Sequence, residues 1–360
     1  MSAHPAFSVV IPLYNGAQFI QRAVQSVVSQ DLSAHEIIVI DDGSTDGGGD
    51  IVASAFPQVV LVRQGNGGEG DARNAGIRQA TGRWMAFLDA DDLWARDHLR
   101  SLADAIESSP DVLMVGSASP RRTPADLVPT DPETALSFVD AQLSRRFRSK
   151  RRIAVVDYLA ASTGRRSIVN SSSCALRREV FTDFGTWFSS APVHADLEVW
   201  CRVALRGPMS LVTTPTTVIV DQPEGVSERH RLHTASAQQR HCLASTRKPH
   251  FAVVSAALES ERLPEQRRRA LEAYVDGTLT RQWPTVLLHA DQSCASVALR
   301  ELRRPWALSA LPFRIAALLP SALARPLSRL VRRLVRIARL KAPPSPFAHH
   351  VTAPDPQANH

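Results

Sequence analysis

Glu36-Ile37-Ile38-Val39-Ile40 running into Asp41-Asp42-Gly43-Ser44-Thr45-Asp46 is the stretch that decides the fold. Four successive apolar residues read as a strand covered on both faces, as in a parallel sheet. The polar turn after it has the composition of a helix start. Working outward, Phe7 to Pro12 (FSVVIP) predicts a preceding strand, and residues 18–29 a helix with Ile20, Val24, Val27 and Val28 on its sheet-facing side. Downstream, 59–62 and 84–88 read as strands, 71–80 and 97–108 as helices, and 112–115 as a further strand. This alternation predicts an α/β fold, a Rossmann-like, mostly parallel sheet flanked by helices.

After Gly116 the pattern loosens. Residues 119–152, rich in Pro, Asp and Arg, read as an insertion with a helix near 134–148. A strand is expected at 168–176, helices at 178–184 and 195–205, and a strand at 210–220. From about 235 the pattern is helical. The expected organisation is a domain over 5–235, with halves 5–116 and 117–235, then a helical extension over 236–342. A Pro-rich tail over 343–360 is expected to be disordered.

Composition narrows the classes. Of 360 residues, 44% are hydrophobic, which is too apolar for a disordered chain. Four cysteines stand far apart without a C-x-x-C pair, which supports neither a zinc knuckle nor a disulfide scaffold. A cytoplasmic setting is the expectation, because no signal-peptide pattern opens the chain and no apolar run approaches the roughly 18 residues of a membrane span. The net charge of +7 invites a nucleic-acid reading until it is located. Residues 300–341 hold eleven Lys or Arg against Glu301 alone, so the basicity belongs to the tail.

In an open parallel sheet, ligands collect outside the carboxyl ends of the strands. Three segments fall there: Pro12-Leu13-Tyr14-Asn15-Gly16, Asp41-Asp42-Gly43-Ser44 and Asp89-Ala90-Asp91-Asp92. Three carboxylates within four residues repel one another unless a cation sits among them. Hard oxygen ligands of this kind suit Mg²⁺ or Mn²⁺, which keep several waters and bridge to substrate phosphates. A solvated acidic turn is the plain alternative. Neither G-x-x-x-x-G-K-[ST] nor a G-x-G-x-x-G after the first strand is present, which removes the best support for P-loop and dinucleotide chemistry. The glycine-rich run Gly65 to Gly70 instead opens a helix bearing Arg73.

Four motifs in order carry a family resemblance: Val9-Val10-Ile11-Pro12-Leu13-Tyr14-Asn15, Val39-Ile40-Asp41-Asp42-Gly43-Ser44-Thr45-Asp46, Gly70-Asp71-Ala72-Arg73-Asn74-Ala75-Gly76 and Phe87-Leu88-Asp89-Ala90-Asp91-Asp92. Together they resemble the family 2 inverting glycosyltransferases of the GT-A fold, strongly over about 85 residues and more weakly to about residue 230. The resemblance implies sugar transfer from a nucleotide diphosphate sugar to an acceptor hydroxyl with inversion. It implies Pro12, Tyr14, Asn15, Asp42, Arg73, Asp89 and Ala90 as the nucleotide-sugar site, with Tyr14 flanking the base and Asp42 accepting from it. The Tyr14 and Asp42 pair points to uracil or thymine. Arg73 would support either the phosphates or the acidic loop, Asp41 would shape its turn, and Asp91 with Asp92 would hold the metal. The family's Glu-Asp pair, followed by Glu-x-Trp-x-Arg, corresponds to Ala195-Asp196-Leu197-Glu198-Val199-Trp200-Cys201-Arg202. This places Asp196 as general base and leaves Ala195 where Glu is expected. Asn170 to Ser173 falls near the acceptor by the same resemblance.

Two other classes stay open at this stage: a sugar-phosphate nucleotidyltransferase, and a sugar-nucleotide-binding protein without catalysis. Finally, Leu327, Leu330, Val331, Leu334, Val335 and Ala338 recur at helical spacing opposite Arg329, Arg332, Arg333, Arg336 and Arg339. A basic amphipathic helix over about 325–341 of this kind lies on an anionic membrane surface or packs on the body of the protein. The first would suit a peripheral enzyme on the inner face of the membrane and a glycan or lipid-linked acceptor. No nucleic-acid partner is expected, since no aromatic residues interleave the charge.

Overall fold

The computed structural model describes residues 4–117, 123–124, 132, 134–135, 153–162, 167–185, 187–189, 195–221, 253–254, 256–258 and 263–280. It opens with β1 (Phe7–Leu13), α1 (Ala17–Val28), β2 (Glu36–Asp42), α2 (Gly48–Ala55), β3 (Val60–Gln64), α3 (Glu69–Gln79) and β4 (Trp84–Phe87). Next come β5 (Leu93–Trp94), α4 (His98–Ser108), β6 (Met114–Ser117), β7 (Thr123–Pro124), β8 (Ile153–Val156) and α5 (Tyr158–Ser162). A 3-10 turn (Ser171–Ser173), β9 (Cys174–Arg177), α6 (Glu179–Thr182), α7 (Ala195–Ala204), β10 (Met209–Val212), β11 (Thr217–Val218), β12 (Val220–Asp221) and α8 (Glu265–Thr280) follow.

Eight strands form the main sheet in the order β3-β2-β1-β4-β9-β6-β10-β8. The β1–β2, β1–β4, β2–β3 and β6–β10 pairs are parallel; β9 is antiparallel to both its neighbours, and β8 to β10. All strands but β8 and β9 therefore run one way, which makes the sheet mixed and mostly parallel. Successive residues of β1 serve opposite faces: Val9, Ile11 and Leu13 join one apolar cluster with α1 and α4, and Val10 joins the other with α3 and α7. The same alternation splits Ile37 and Val39 from Ile38 and Ile40. Burial on both faces is why these strands carry no polar face.

The chain reverses direction across the sheet at β1, with β2 and β3 on one side and β4 on the other, so a crevice opens at the carboxyl ends there. Pro12 helps to shape it. The Val10 carbonyl accepts the Leu88 amide, so even-numbered residues of β1 turn their backbone toward β4. Pairing with β4 stops at Val10, and the missing N–H of Pro12 therefore costs no ladder bond. On the other face α3 lies close on β1: a Cβ at Gly76 would sit 2.3 Å from Val10 Cγ1.

Two sequence expectations need correction. The strand expected over 168–176 exists only from Cys174, because the Asn170 backbone amide donates to Ser173 Oγ at 3.0 Å and the Ser173 amide to the Asn170 carbonyl at 3.1 Å, which winds Ser171–Ser173 into a 3-10 turn. The strand expected over 210–220 is broken after Val212, and Pro215 restricts the residue before it and donates no bond. Residues 153–156 and 158–162 were not anticipated as strand and helix. Leu271, Tyr274 and Val275 of α8 pack in the same apolar cluster as Val199, Trp200 and Val203 of α7. Most of the helix expected at 134–148, the basic helix at 325–341 and the tail from 343 lie outside the described residues.

Candidate active site

Each acid of the Asp41 to Asp46 turn has a separate local task. Asp41 Oδ1 accepts the Ser44 amide at 2.9 Å and closes the turn, as expected of it. Asp46 accepts the Ala17 amide at 2.8 Å and the Gly48 amide at 3.0 Å, one from the first residue of α1 and one from the first residue of α2. It thereby satisfies a free N–H at two helix starts. Asp42, buried at the end of β2, holds the loop after β3. Its Oδ1 accepts from Gln64 Nε2 at 2.7 Å and the Gly67 amide at 2.9 Å, and its Oδ2 accepts the Gly68 amide at 2.8 Å. Asn15, at φ 48°, clips the first loop to the second: its amide donates to Ser44 Oγ at 3.1 Å and its Oδ1 accepts the Thr45 amide at 2.9 Å. Tyr14 beside it is 47% exposed, a free aromatic face at the mouth of the crevice.

Beyond β4 the acidic turn is closed by the Asp92 amide donating to the Asp89 carbonyl at 3.0 Å. Asp92, expected beside Asp91 as a metal ligand, is buried with both oxygens engaged. Its Oδ2 accepts from Ser172 Oγ at 2.6 Å and its Oδ1 accepts the Val220 amide at 3.1 Å. It braces the turn from behind. Burial, and then the Asp89 charge, push the Asp91 carboxyl up to about 7, against the pull of Arg22 on α1. A carboxylate that costs this much to ionise beside other acids is stabilised by a cation. Among the described residues, no three His, Cys, Asp or Glu side chains gather into a cage for a metal.

Arg73 is the hub. Its side chain is 3% exposed, and its Nη2 donates to Asp89 Oδ1 at 2.6 Å, to Ser171 Oγ at 3.1 Å and to Glu69 one helical turn back. Its guanidinium lies over the Phe188 ring, 5.4 Å from the centroid. Of the two tasks the sequence offered Arg73, this geometry spends it on the acidic loop. The close seating has a backbone reason: a Cβ at Gly70 would fall 2.3 Å from the Ser189 carbonyl oxygen, so only glycine lets α3 approach that segment.

Asp196 stands in the first turn of α7, its Oδ1 accepting the Leu197 amide at 2.8 Å. Burial holds its carboxyl above the ordinary range, partly offset by the Arg73 charge, while Asp89 adds to the upward push. Arg73 thus pairs with Asp89 and Glu69, and the charges of Arg73 and Asp89 act on Asp196. Ala195 is buried in the apolar cluster and offers no second acid. Glu198 turns away to Arg202, at 2.6 Å. A Cβ at Gly16 would sit 3.6 Å from Ala90 Cβ, so Ala90 lies beside the start of α1. Sequence reading missed Glu69, and it singled out Ser171 and Ser172 only as near the acceptor, without their bonds to Asp89 and Asp92. The i, i+4 spacing of Glu69 and Arg73 was a usable signal for the first.

Compared with known proteins, residues 8–181 match the family described as Glycosyl transferase family 2. An uncharacterized glycosyltransferase of Nostoc, alr2836, is 41% identical over 106 residues, 28% of this chain and 33% of that protein. The succinoglycan biosynthesis protein ExoO of Rhizobium meliloti is 35% identical over 143 residues, 39% of each chain. The matches thus span about a third or slightly more of these relatives. Among solved structures, S. aureus TarS 1–349 in complex with UDP-GlcNAc superposes with a TM-score of 0.61 at 16% identity, covering 92% of both chains. The mannosyltransferase PcManGT from Pyrobaculum calidifontis, in complex with GDP-Man and Mn²⁺, gives 0.53 at 20% identity, covering 97% of this chain and 86% of that one. At these identities the likeness is one of fold, and the fold is GT-A-like.

Proposed function

We propose, on the premise that this chain belongs to glycosyl transferase family 2 through residues 8–181, that it moves a sugar from a nucleoside diphosphate sugar to an acceptor hydroxyl with inversion at the anomeric carbon. The observation that supports the reading is the buried Arg73–Asp89 ion pair, whose two charges both act on the buried carboxyl of Asp196 at the start of α7. UDP- or dTDP-linked donors fit best. Asp42 Oδ2 accepts one amide and keeps an acceptor position for the imide N–H of uracil or thymine, with the exposed ring of Tyr14 beside the base. TarS is in complex with UDP-GlcNAc and PcManGT with GDP-Man, both nucleoside diphosphate sugars, which supports the broader donor class, and the name of ExoO agrees with polysaccharide or surface-glycan assembly.

The chemistry follows from charge. Asp196 takes the proton of the acceptor hydroxyl as its oxygen attacks the anomeric carbon. The bond from that carbon to the diphosphate oxygen breaks on the opposite face, and the pair of electrons leaves with the nucleoside diphosphate. Asp89, oriented by Arg73 and Ser171, lies toward the nucleoside and sugar. Asp91 holds Mg²⁺ or Mn²⁺, which when bound offsets the charge that builds on the leaving diphosphate. The acceptor is a glycan or a lipid-linked saccharide, and the alternating leucines and arginines of 325–341 support contact with an anionic membrane surface on the cytoplasmic side. Among the described residues, no helix is long and apolar enough to cross a membrane.

Substituting Asp91→Asn tests the metal assignment. It is expected to remove the Mn²⁺-dependent part of nucleoside diphosphate affinity while leaving the fold intact. Unchanged affinity in saturating Mn²⁺ refutes it.

A further inference from the structure

We infer that Ser172, in the 3-10 turn before β9, is a positioning residue for the donor side of the crevice: its hydroxyl ties the Asp89 backbone to the Asp92 carboxylate and so fixes the turn that presents Asp91. The inference rests on the reading of Asp91 given above.

The hydroxyl has no freedom of direction. The Asp89 amide donates to Ser172 Oγ at 3.0 Å, so the hydroxyl's own hydrogen goes to Asp92 Oδ2 at 2.6 Å. The two ends of the four-residue acidic turn are thus bonded to one atom, in addition to the turn's own Asp92 to Asp89 bond. Asp91 lies between those fixed ends. Ser172 is itself held from the other side. Its carbonyl accepts Trp94 Nε1 at 2.6 Å and Thr217 Oγ1 at 3.2 Å, and the residue is fully buried. Its neighbour Ser171 acts on the same loop, donating to Asp89 Oδ2 at 3.3 Å and accepting from Arg73. The serines come from the chain segment just before β9, so the second half of the protein sets the geometry of carboxylates supplied by the first.

The arrangement makes a definite demand. A turn with both ends bonded to one buried hydroxyl presents its middle residue in one direction, and ligand direction is what a cation with few protein ligands reads. Loss of the hydroxyl frees the turn and leaves the Asp89 amide and one Asp92 oxygen without this partner in a buried place.

The test is calorimetric titration of whichever of UDP, GDP, dTDP or CDP the wild type binds, with and without Mn²⁺, into wild type, Ser172→Ala and Ser210→Ala. Ser210 on β10 is an equally buried serine whose hydroxyl donates to the Ala105 carbonyl at 3.3 Å, and it serves as the control for loss of a buried hydrogen bond. Ser172→Ala is expected to lose about 10- to 100-fold of the Mn²⁺-dependent affinity and to keep the metal-free affinity, while Ser210→Ala keeps both. If Ser172→Ala does not fold, the double variant Ser172→Ala/Asp92→Asn, which removes the buried negative charge along with the hydroxyl, is titrated with the same expected loss. Wild-type Mn²⁺ dependence in the folded variant, an equal loss in Ser210→Ala, or an equal fall in metal-free affinity overturns the inference and leaves the proposed function standing. Absence of Mn²⁺-dependent binding in the wild type overturns both.

Discussion

Asp196→Asn lowers turnover by about 10²- to 10⁴-fold, the range expected for loss of a positioned general base, and leaves donor affinity unchanged. The substitution keeps the shape of the side chain and the oxygen that accepts the Leu197 amide, so the start of α7 is preserved. It removes the one group at that position able to take a proton. Turnover is read as release of nucleoside diphosphate from the nucleotide sugar that the protein binds, and donor affinity by titration. Stability supplies a control with a definite sign. Burial holds the folded carboxyl above its unfolded value, so the folded state binds the proton more tightly and stability falls as pH rises through that interval. At neutral pH the ionised side chain therefore opposes folding, and the Asn variant unfolds at an equal or higher denaturant concentration.

The same shift fixes the pH profile. Arg73, Asp89 and Glu69 face Asp196, and Tyr158, Cys174 and Cys201 lie within its field. Burial dominates among these influences, so the acid limb of the wild-type rate lies above the ordinary carboxylate range. In saturating Mn²⁺, which keeps Asp91 ionised, that limb disappears in the variant. Turnover within tenfold of wild type, with the acid limb retained, contradicts the assignment of the base.

Arg73→Met is expected to destabilise the fold by about 3 kcal/mol, the lower end of the cost of removing one partner from a buried ionic group. The lower end applies because the abandoned carboxylates regain water in part: the Asp89 side chain is 30% exposed and that of Glu69 is 49%. Methionine fills the space over Phe188 but leaves Glu69, Asp89 and Asp196 facing one another without their shared cation. Arg73→Lys restores only part of the loss, because Glu69, Asp89 and Ser171 are all reached by Nη2, and the lysine ammonium ends one bond short of that atom. The measurement is the denaturation midpoint at constant slope. A change below about 1 kcal/mol, the worth of an exposed pair, would show that the guanidinium is a surface group and not the centre of the site.

Much of the first 116 residues was legible because their strands are buried on both faces and their loops fall at one edge. The runs Val9 to Ile11 and Ile37 to Ile40 have no other reading once each is followed by a polar turn. What sequence could not supply was the direction of individual carboxylates. Asp91 and Asp92 are adjacent and alike in composition, yet Asp92 is taken by Ser172 and by the Val220 amide, partners 80 and 128 residues away. No local pattern announces such partners. Arg73 illustrates the same limit: its helix was expected, but the choice between phosphate and carboxylate depended on Asp89 and Ser171 arriving from elsewhere in the fold. The 168–176 segment failed for a local reason. Ile168 and Val169 carry a strand signal, but Asn170 and Ser173 satisfy their own backbone and end it. The second half also gains β8 and β9 running against the sheet, a reversal that an apolar strand pattern does not encode.

The central claim is that the crevice binds a nucleoside diphosphate through a divalent cation. Titration of UDP, GDP, dTDP and CDP into the protein with and without Mn²⁺ tests it most directly. The account predicts that UDP or dTDP binds, that its affinity rises with Mn²⁺, and that GDP and CDP bind more weakly. No binding of any of the four, with the metal or without it, contradicts the account and returns Asp89 to Asp92 to an acidic turn with a structural task only.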